Sequence, residues 1–114
     1  MKICFVLLAL MLLTNFQCRK DSLEGLPLCI RQKIQRIKLE PVWNPPATVH
    51  EYEYNGRTVY AFSSNCCDQY NVVVDEHCNY ICAPSGGFTG KGDGKCADFA
   101  EKAKLVRLVW KDER

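Results

Sequence analysis

The sequence predicts an α+β domain: an antiparallel sheet of four to five strands, an N-terminal helix packed on one face, and disulfides stapling the two. Three observations carry that expectation. An apolar stripe at helical spacing ends at Pro41, an Asn-Gly dipeptide joins two strand-like runs, and six cysteines fall between Cys29 and Cys96. The chain has 114 residues, with 15 Lys+Arg against 13 Asp+Glu. That length suits one domain and excludes a two-domain enzyme, a Rossmann nucleotide-binder or a long repeat array. So even a charge balance gives no electrostatic basis for nucleic-acid binding.

Residues 1–17 read as a signal peptide. Lys2 supplies the positive end, and Ile3 to Leu13 form an unbroken apolar run. Eleven helical residues span roughly 16 Å, about half a hydrocarbon core, which is too short for a comfortable membrane anchor. No pair of small residues precedes Cys18 at the spacing a secretory peptidase prefers. Cleavage immediately before Cys18 would make it the first mature residue and a lipid carrier, with residues 18–25 as anchor and tether. A single domain then occupies residues 26–114.

Leu26, Ile30, Ile34 and Ile37 recur at spacings of 4, 4 and 3, placing them on one helical face. Pro27 suits the first turn, and Pro41 stops the helix by disfavouring helical geometry at Glu40. Lys33 falls in the stripe, where its stem can pack while the ammonium reaches water. Pro41 to Pro46 form a stiff connector. Val49–Ser64 follows as a hairpin, because Asn55-Gly56 supplies the two positive φ angles of a type I′ turn. Centring the turn there pairs Tyr52 with Val59, Glu53 with Thr58, and His50 with Ala61. Both faces are partly apolar, so the pattern leaves the buried face open.

Tyr70–Asp75 and Asn79–Ala83 form a second strand pair around the turn Asp75–Cys78. Pro84 to Gly94 contain five glycines in eleven residues, a composition that admits no regular element. Ala97–Ala103 reads as a short helix and Leu105–Trp110 as a last strand.

Cysteine chemistry follows from export. An oxidising compartment turns thiols into disulfides, and adjacent Cys66 and Cys67 make a poor pair of zinc ligands. With Cys4 lost in the leader and Cys18 alkylated, Cys29, Cys66, Cys67, Cys78, Cys82 and Cys96 can all pair within one monomer. Cys66 and Cys67 are expected to take different partners, since bonding each other would close a small strained ring. A bridge from Cys29 to that pair would contribute roughly 3–4 kcal/mol in the chain-entropy model. No metal and no cofactor is expected.

Several catalytic patterns fail on inspection. Ser85–Gly94 misses the P-loop spacing, and Gly92 follows Lys91 where Ser or Thr is required. Asp93 is the one local carboxylate, too few for calcium. His50 and His77 could be drawn into a triad with Ser63 or Ser64 and with Asp68 or Asp75, but no nucleophile elbow accompanies them. Glu51 and Glu53 would sit about 7 Å apart on one strand face, near glycosidase spacing, yet an exposed charged face accounts for them. Aromatic content is the more suggestive feature. Trp43, His50, Tyr52 and Tyr54 are the candidate binding residues, a platform for a glycan or a protein ligand.

Two resemblances sharpen the address. Cys18-Arg19-Lys20-Asp21-Ser22 resembles the start of Bacteroidetes-type lipoproteins, in which a Lys followed by acid just after the lipidated Cys resembles a surface-export signal. From Leu26 onward the chain is similar to small exported Bacteroidetes proteins carrying a domain of unknown function. Pro41-Val42-Trp43-Asn44-Pro45-Pro46, Cys66-Cys67-Asp68 and Ile81 to Gly87 carry that likeness. The resemblance implies an outer-membrane or cell-surface protein, held to the membrane through Cys18, or else a secreted one. It implies no activity. The functional expectation is a non-enzymatic binding or structural domain; the alternative is a protease inhibitor presenting loop 84–94.

Overall fold

A computed structural model of the chain describes residues 23–114. The leader, Cys4 and Cys18 lie outside the described residues. Helix α1 covers Leu28–Lys38, and it buries Ile30, Ile34 and Ile37, the face its spacing dictates. Leu23 and Leu26 join the same core at 2% and 5% exposure. Leu23, read as part of the tether, therefore belongs to the folded domain. Pro27 is the N-cap residue, and its carbonyl accepts from Arg31 N–H at 3.1 Å.

The far end of α1 is closed from a distance. Arg114 donates from Nη1 to the carbonyls of Lys38 and Glu40, at 2.8 and 3.0 Å. Its other nitrogens grip Asp112, Nε to Oδ1 at 2.9 Å and Nη2 to Oδ2 at 2.7 Å. A guanidinium placed on the orphan carbonyls complements both their hydrogen-bonding need and the negative end of the helix dipole. The hydrogen bonds from Arg114 hold the Asp112 carboxyl below the usual carboxylate range, against the opposing effect of burial.

Strands β1 (Thr48–Tyr54), β2 (Arg57–Phe62), β3 (Tyr70–Asp75), β4 (Tyr80–Gly86) and β5 (Lys104–Lys111) form one antiparallel sheet in the order β4-β3-β2-β1-β5. Asn55 and Gly56 take φ of 51° and 76°, as a type I′ turn demands. The register pairs Tyr52 with Val59, Glu53 with Thr58 and His50 with Ala61, as the centred turn requires. Helix α2 is a single turn, Phe99–Lys102. No helix among the described residues is long and apolar enough to cross a membrane.

Both faces of the sheet are covered, whereas the sequence pattern places a helix on only one. Val49, Tyr60, Phe62 and Val74 meet α1. On the reverse face Tyr54, Val59, Val73 and Cys82 meet Cys96 and Phe99. Alternation along β1 and β2 sends successive side chains to these two cores, which explains why both faces looked apolar.

The cysteine pairing corrects two expectations. Cys29 on α1 bonds Cys78 in the β3–β4 turn, with Cα atoms 6.0 Å apart, rather than reaching the adjacent pair. Cys82 bonds Cys96, at a Cα separation of 5.9 Å. Those four sulfurs are brought together by the two cores. Cys66 and Cys67 lie in the exposed β2–β3 loop with every other described cysteine engaged, and they bond each other.

Asp75 organises the turn that presents Cys78. Its Oδ1 accepts from the N–H groups of His77 and Asn79, both at 2.9 Å. Its Oδ2 accepts from Arg57 at 3.0 Å and from the Asn79 amide at 3.1 Å. Burial alone would raise the carboxyl's pKa, but the Asn79 and His77 donors and the Arg57 charge together hold it below the ordinary value. A depressed folded pKa stabilises the fold above the unfolded value near 3.9, and that contribution is lost as pH falls through the folded value. Asp75→Asn is expected to lower stability by about 2 kcal/mol at neutral pH, because one acceptor oxygen becomes a donor facing donors. Thermal melts of the variant should also lose part of their acid sensitivity below about pH 4. Parallel acid sensitivity in variant and wild type would contradict this assignment.

Candidate functional site: an aromatic groove beside the β2–β3 loop

Trp43 sits in the Pro-rich connector that follows α1, beyond the reach of helical geometry. Its indole Nε1 donates to Glu40 Oε2 at 2.7 Å, and the half-buried ring leans on the α1 core. It forms one wall of a groove of about 280 Å³. Tyr70, the first residue of β3 and 47% exposed, contributes to the same groove. Between them lie the polar groups of Ser63, Ser64, Asn65 and Gln69, with Lys33 and Arg36 projecting from α1. The Lys33 ammonium lies 5.2 Å from the Phe62 ring centroid, so its stem packs and its charge stays at the groove.

The Gly-rich loop supports this wall from behind. Gly87 donates to the Gln69 carbonyl at 3.0 Å. A Cβ at Gly87 would collide with the Tyr70 ring, and one at Gly86 with the Gln69 carbonyl. Glycine is required here for close approach as well as for positive φ. Farther along, Gly92 N–H bonds the Gly86 carbonyl and Asp93 N–H bonds the Ala83 carbonyl, folding the loop back onto β4. The Asp93 carboxylate is occupied by the Tyr80 hydroxyl and by Lys95 N–H. That hydrogen bond from Tyr80 depresses the Asp93 pKa, while the Tyr80 phenol is pushed up to about 12. Phe88 stands at the tip, 92% exposed.

The other candidate binding residues do not share this groove. His50, Tyr52 and Tyr54 point to the opposite face of the sheet, so the four aromatics form no continuous platform. Tyr54 is 6% exposed, stacks on Phe99 at 5.1 Å and donates to Asp98 at 2.5 Å. Its hydrogen bond to Asp98 raises the phenol's pKa and lowers that of the carboxyl. Tyr52 meets Phe99 edge-on at 5.1 Å and lines a second groove, of about 370 Å³, together with Ala61 and Ala100. His50 is half-buried beside Tyr52, with ring centroids 6.4 Å apart. Tyr54 thus holds α2 to the sheet.

The residues considered for catalysis are dispersed. Ser63 Oγ accepts from Thr48 N–H at 2.8 Å, and His77 lies on the exposed β3–β4 turn near Glu76. Glu51 is held under α1 by the Tyr60 hydroxyl and Arg107, at 3.4 and 3.5 Å, while Glu53 is exposed. Glu51 also lines a cleft of about 730 Å³, which runs between the start of α1 and the β3–β4 turn. Among the described residues, no group of three or more His, Cys, Asp and Glu side chains is placed to hold a metal ion.

Tyr70 and Gln69 are the residues that sequence reasoning did not assign to a binding surface. The Gly86-Gly87 pair is the signal that could have found Tyr70, since a glycine pair often marks where a ring or backbone comes close. Comparison with curated proteins and with solved structures finds no match. A family model does match residues 35–112, from within α1 to the end of β5, and the chain belongs to that family, described as Domain of unknown function (DUF6970).

Proposed function

We propose that this chain is an exported, lipid-anchored protein of the cell envelope whose domain is a non-enzymatic binding module, with a glycan as ligand of the Trp43 groove. One observation carries the ligand class: Trp43 and Tyr70 share a groove with two hydroxyl and two amide side chains. Ring faces accept the apolar C–H face of a pyranose. Amides and hydroxyls each donate and accept, matching sugar hydroxyls. Lys33 and Arg36 outnumber Glu40 at the groove, and the resulting positive balance favours acidic sugars. The apolar run to Leu13 and the Cys18 context support export and anchoring.

The test pairs capture with location. Tyr70→Ala and Gln69→Ala are expected to weaken retention on an acidic-glycan array about tenfold, equivalent to about 1.4 kcal/mol, while melting remains cooperative. Cys18→Ser should move the protein out of the membrane fraction and remove a lipid mass from it. Equal retention by wild type and both variants would remove the glycan reading. Unchanged fractionation would remove the anchor.

A second reading has its own support. Phe88 is held out at the tip of a loop closed at its base by Cys82–Cys96. A protease inhibitor would present such a residue to an aromatic-accepting pocket. Inhibition of a chymotrypsin-like protease that vanishes in Phe88→Ala distinguishes it; rapid cleavage at Phe88 counts against it.

A further inference from the structure

We propose that Cys66–Cys67 is a thiol–disulfide exchange site whose redox state sets the shape of the Trp43 groove. Three observations point there. First, both residues are exposed, whereas Cys82 and Cys96 are buried at 1% and 3%, and Cys29 and Cys78 are half-buried. An external thiolate therefore reaches this pair first. Second, the bond joins neighbours in sequence, with a separation of 1 against 49 and 14 for the others. Stabilisation by cross-linking grows with the length of chain enclosed, and here no chain is enclosed beyond the pair itself. As a staple for the fold it is redundant.

Third, the pair lies in the loop that borders the groove, between two residues that line it. Asn65 precedes it and Gln69 follows closely, and both line the groove. Gln69 N–H donates to the Cys66 carbonyl at 3.0 Å, closing a turn over Cys67 and Asp68. The Gln69 carbonyl in turn accepts from Gly87 at 3.0 Å, beside the Tyr70 ring. Opening the small ring frees the backbone of residues 66 and 67, and that freedom is delivered to Gln69 and Tyr70.

The reductant is a dithiol. One of its thiolates attacks a sulfur of the pair, the S–S bond breaks, and the other cysteine leaves as a thiolate and takes a proton. The second thiol of the donor then attacks the mixed disulfide. It releases the remaining cysteine as a thiol and departs as an oxidised, disulfide-bonded donor. Two electrons and two protons have passed to Cys66 and Cys67, and the reverse exchange with a disulfide restores the bond.

The site rests on no assumption about the ligand; only the meaning of the groove change rests on the glycan reading. The full chain is titrated with dithiothreitol, thiols are trapped with maleimide, and labels are assigned by peptide mass. Trp110→Phe leaves Trp43 as the single indole, whose acrylamide quenching reports the groove. The expected result is labelling of Cys66 and Cys67 at reductant levels that leave the other two bonds closed. The melting temperature should shift by about 5 °C or less, and Trp43 quenching should change at least about twofold over the same titration. First labelling at Cys29, Cys78, Cys82 or Cys96 overturns the site. Labelling at Cys66 and Cys67 with unchanged Trp43 quenching overturns the coupling to the groove. Both results leave glycan capture to be judged separately, by the oxidised protein on the array.

Discussion

Alanine at both Cys29 and Cys78 is expected to cost about 4 kcal/mol of stability and to lower the melting temperature by roughly 15–30 °C. The bridge encloses 49 residues of sequence separation, the longest of the three. It runs from α1 to the turn beyond β3, so reduction also removes the covalent tie between the helix and the sheet it covers. A net stability of roughly 5–15 kcal/mol is typical of such a domain, and a loss of this size consumes much of it. The matched Cys82/Cys96 variant should lose about 3 kcal/mol, since its separation is 14. Denaturant titrations of both variants check the order. A loss below about 1 kcal/mol for Cys29/Cys78 would show that residual structure in the unfolded chain outweighs loop closure.

Ile34→Ala is expected to cost about 3–4 kcal/mol. Ile34 is fully buried, on the central turn of α1, among Ile30, Ile37 and the sheet side chains of the same cluster. Truncation removes its transfer free energy and leaves a cavity that a disulfide-tied helix cannot easily collapse. Ile34→Val should cost only about 1 kcal/mol, because most of the volume remains. Urea midpoints at constant slope test the pair. Near-equal losses for Ala and Val would mean that the helix moves to fill the space.

What could be read from the sequence was local. Asn55-Gly56 fixed the β1–β2 register because a two-residue turn admits one pairing, and the Ile30–Ile34–Ile37 spacing exposed the helix and its buried face. What could not be read was a matter of distance. Helix α2 was legible as a short helix over Ala97–Ala103, but one turn is too short to show an apolar period, so the sheet face it covers was not. Arg114 reaches carbonyls more than seventy positions away, at 2.8 and 3.0 Å, with no local signature. The rule that adjacent cysteines avoid each other failed because partner choice depends on which sulfurs the two cores bring near. The groove was half legible. Trp43 stood out in a stiff connector, but its companions Tyr70 and Gln69 become neighbours only when the β2–β3 loop folds against α1. His50, Tyr52 and Tyr54 were grouped correctly by alternation, and the sheet then placed them away from Trp43.

Strand β5 pairs with β1 across more than fifty positions, through a register broken at two steps, and presents Lys104, Arg107 and Lys111. Without residues 104–114, β1 would carry an unpaired edge and α1 would have bare carbonyls at its end. With β5 in place the edge is irregular and carries Lys104, Arg107 and Lys111 beside the exposed Leu105, Val106 and Leu108. The two register breaks and the three cations are therefore what guard this partly apolar edge against pairing with another sheet.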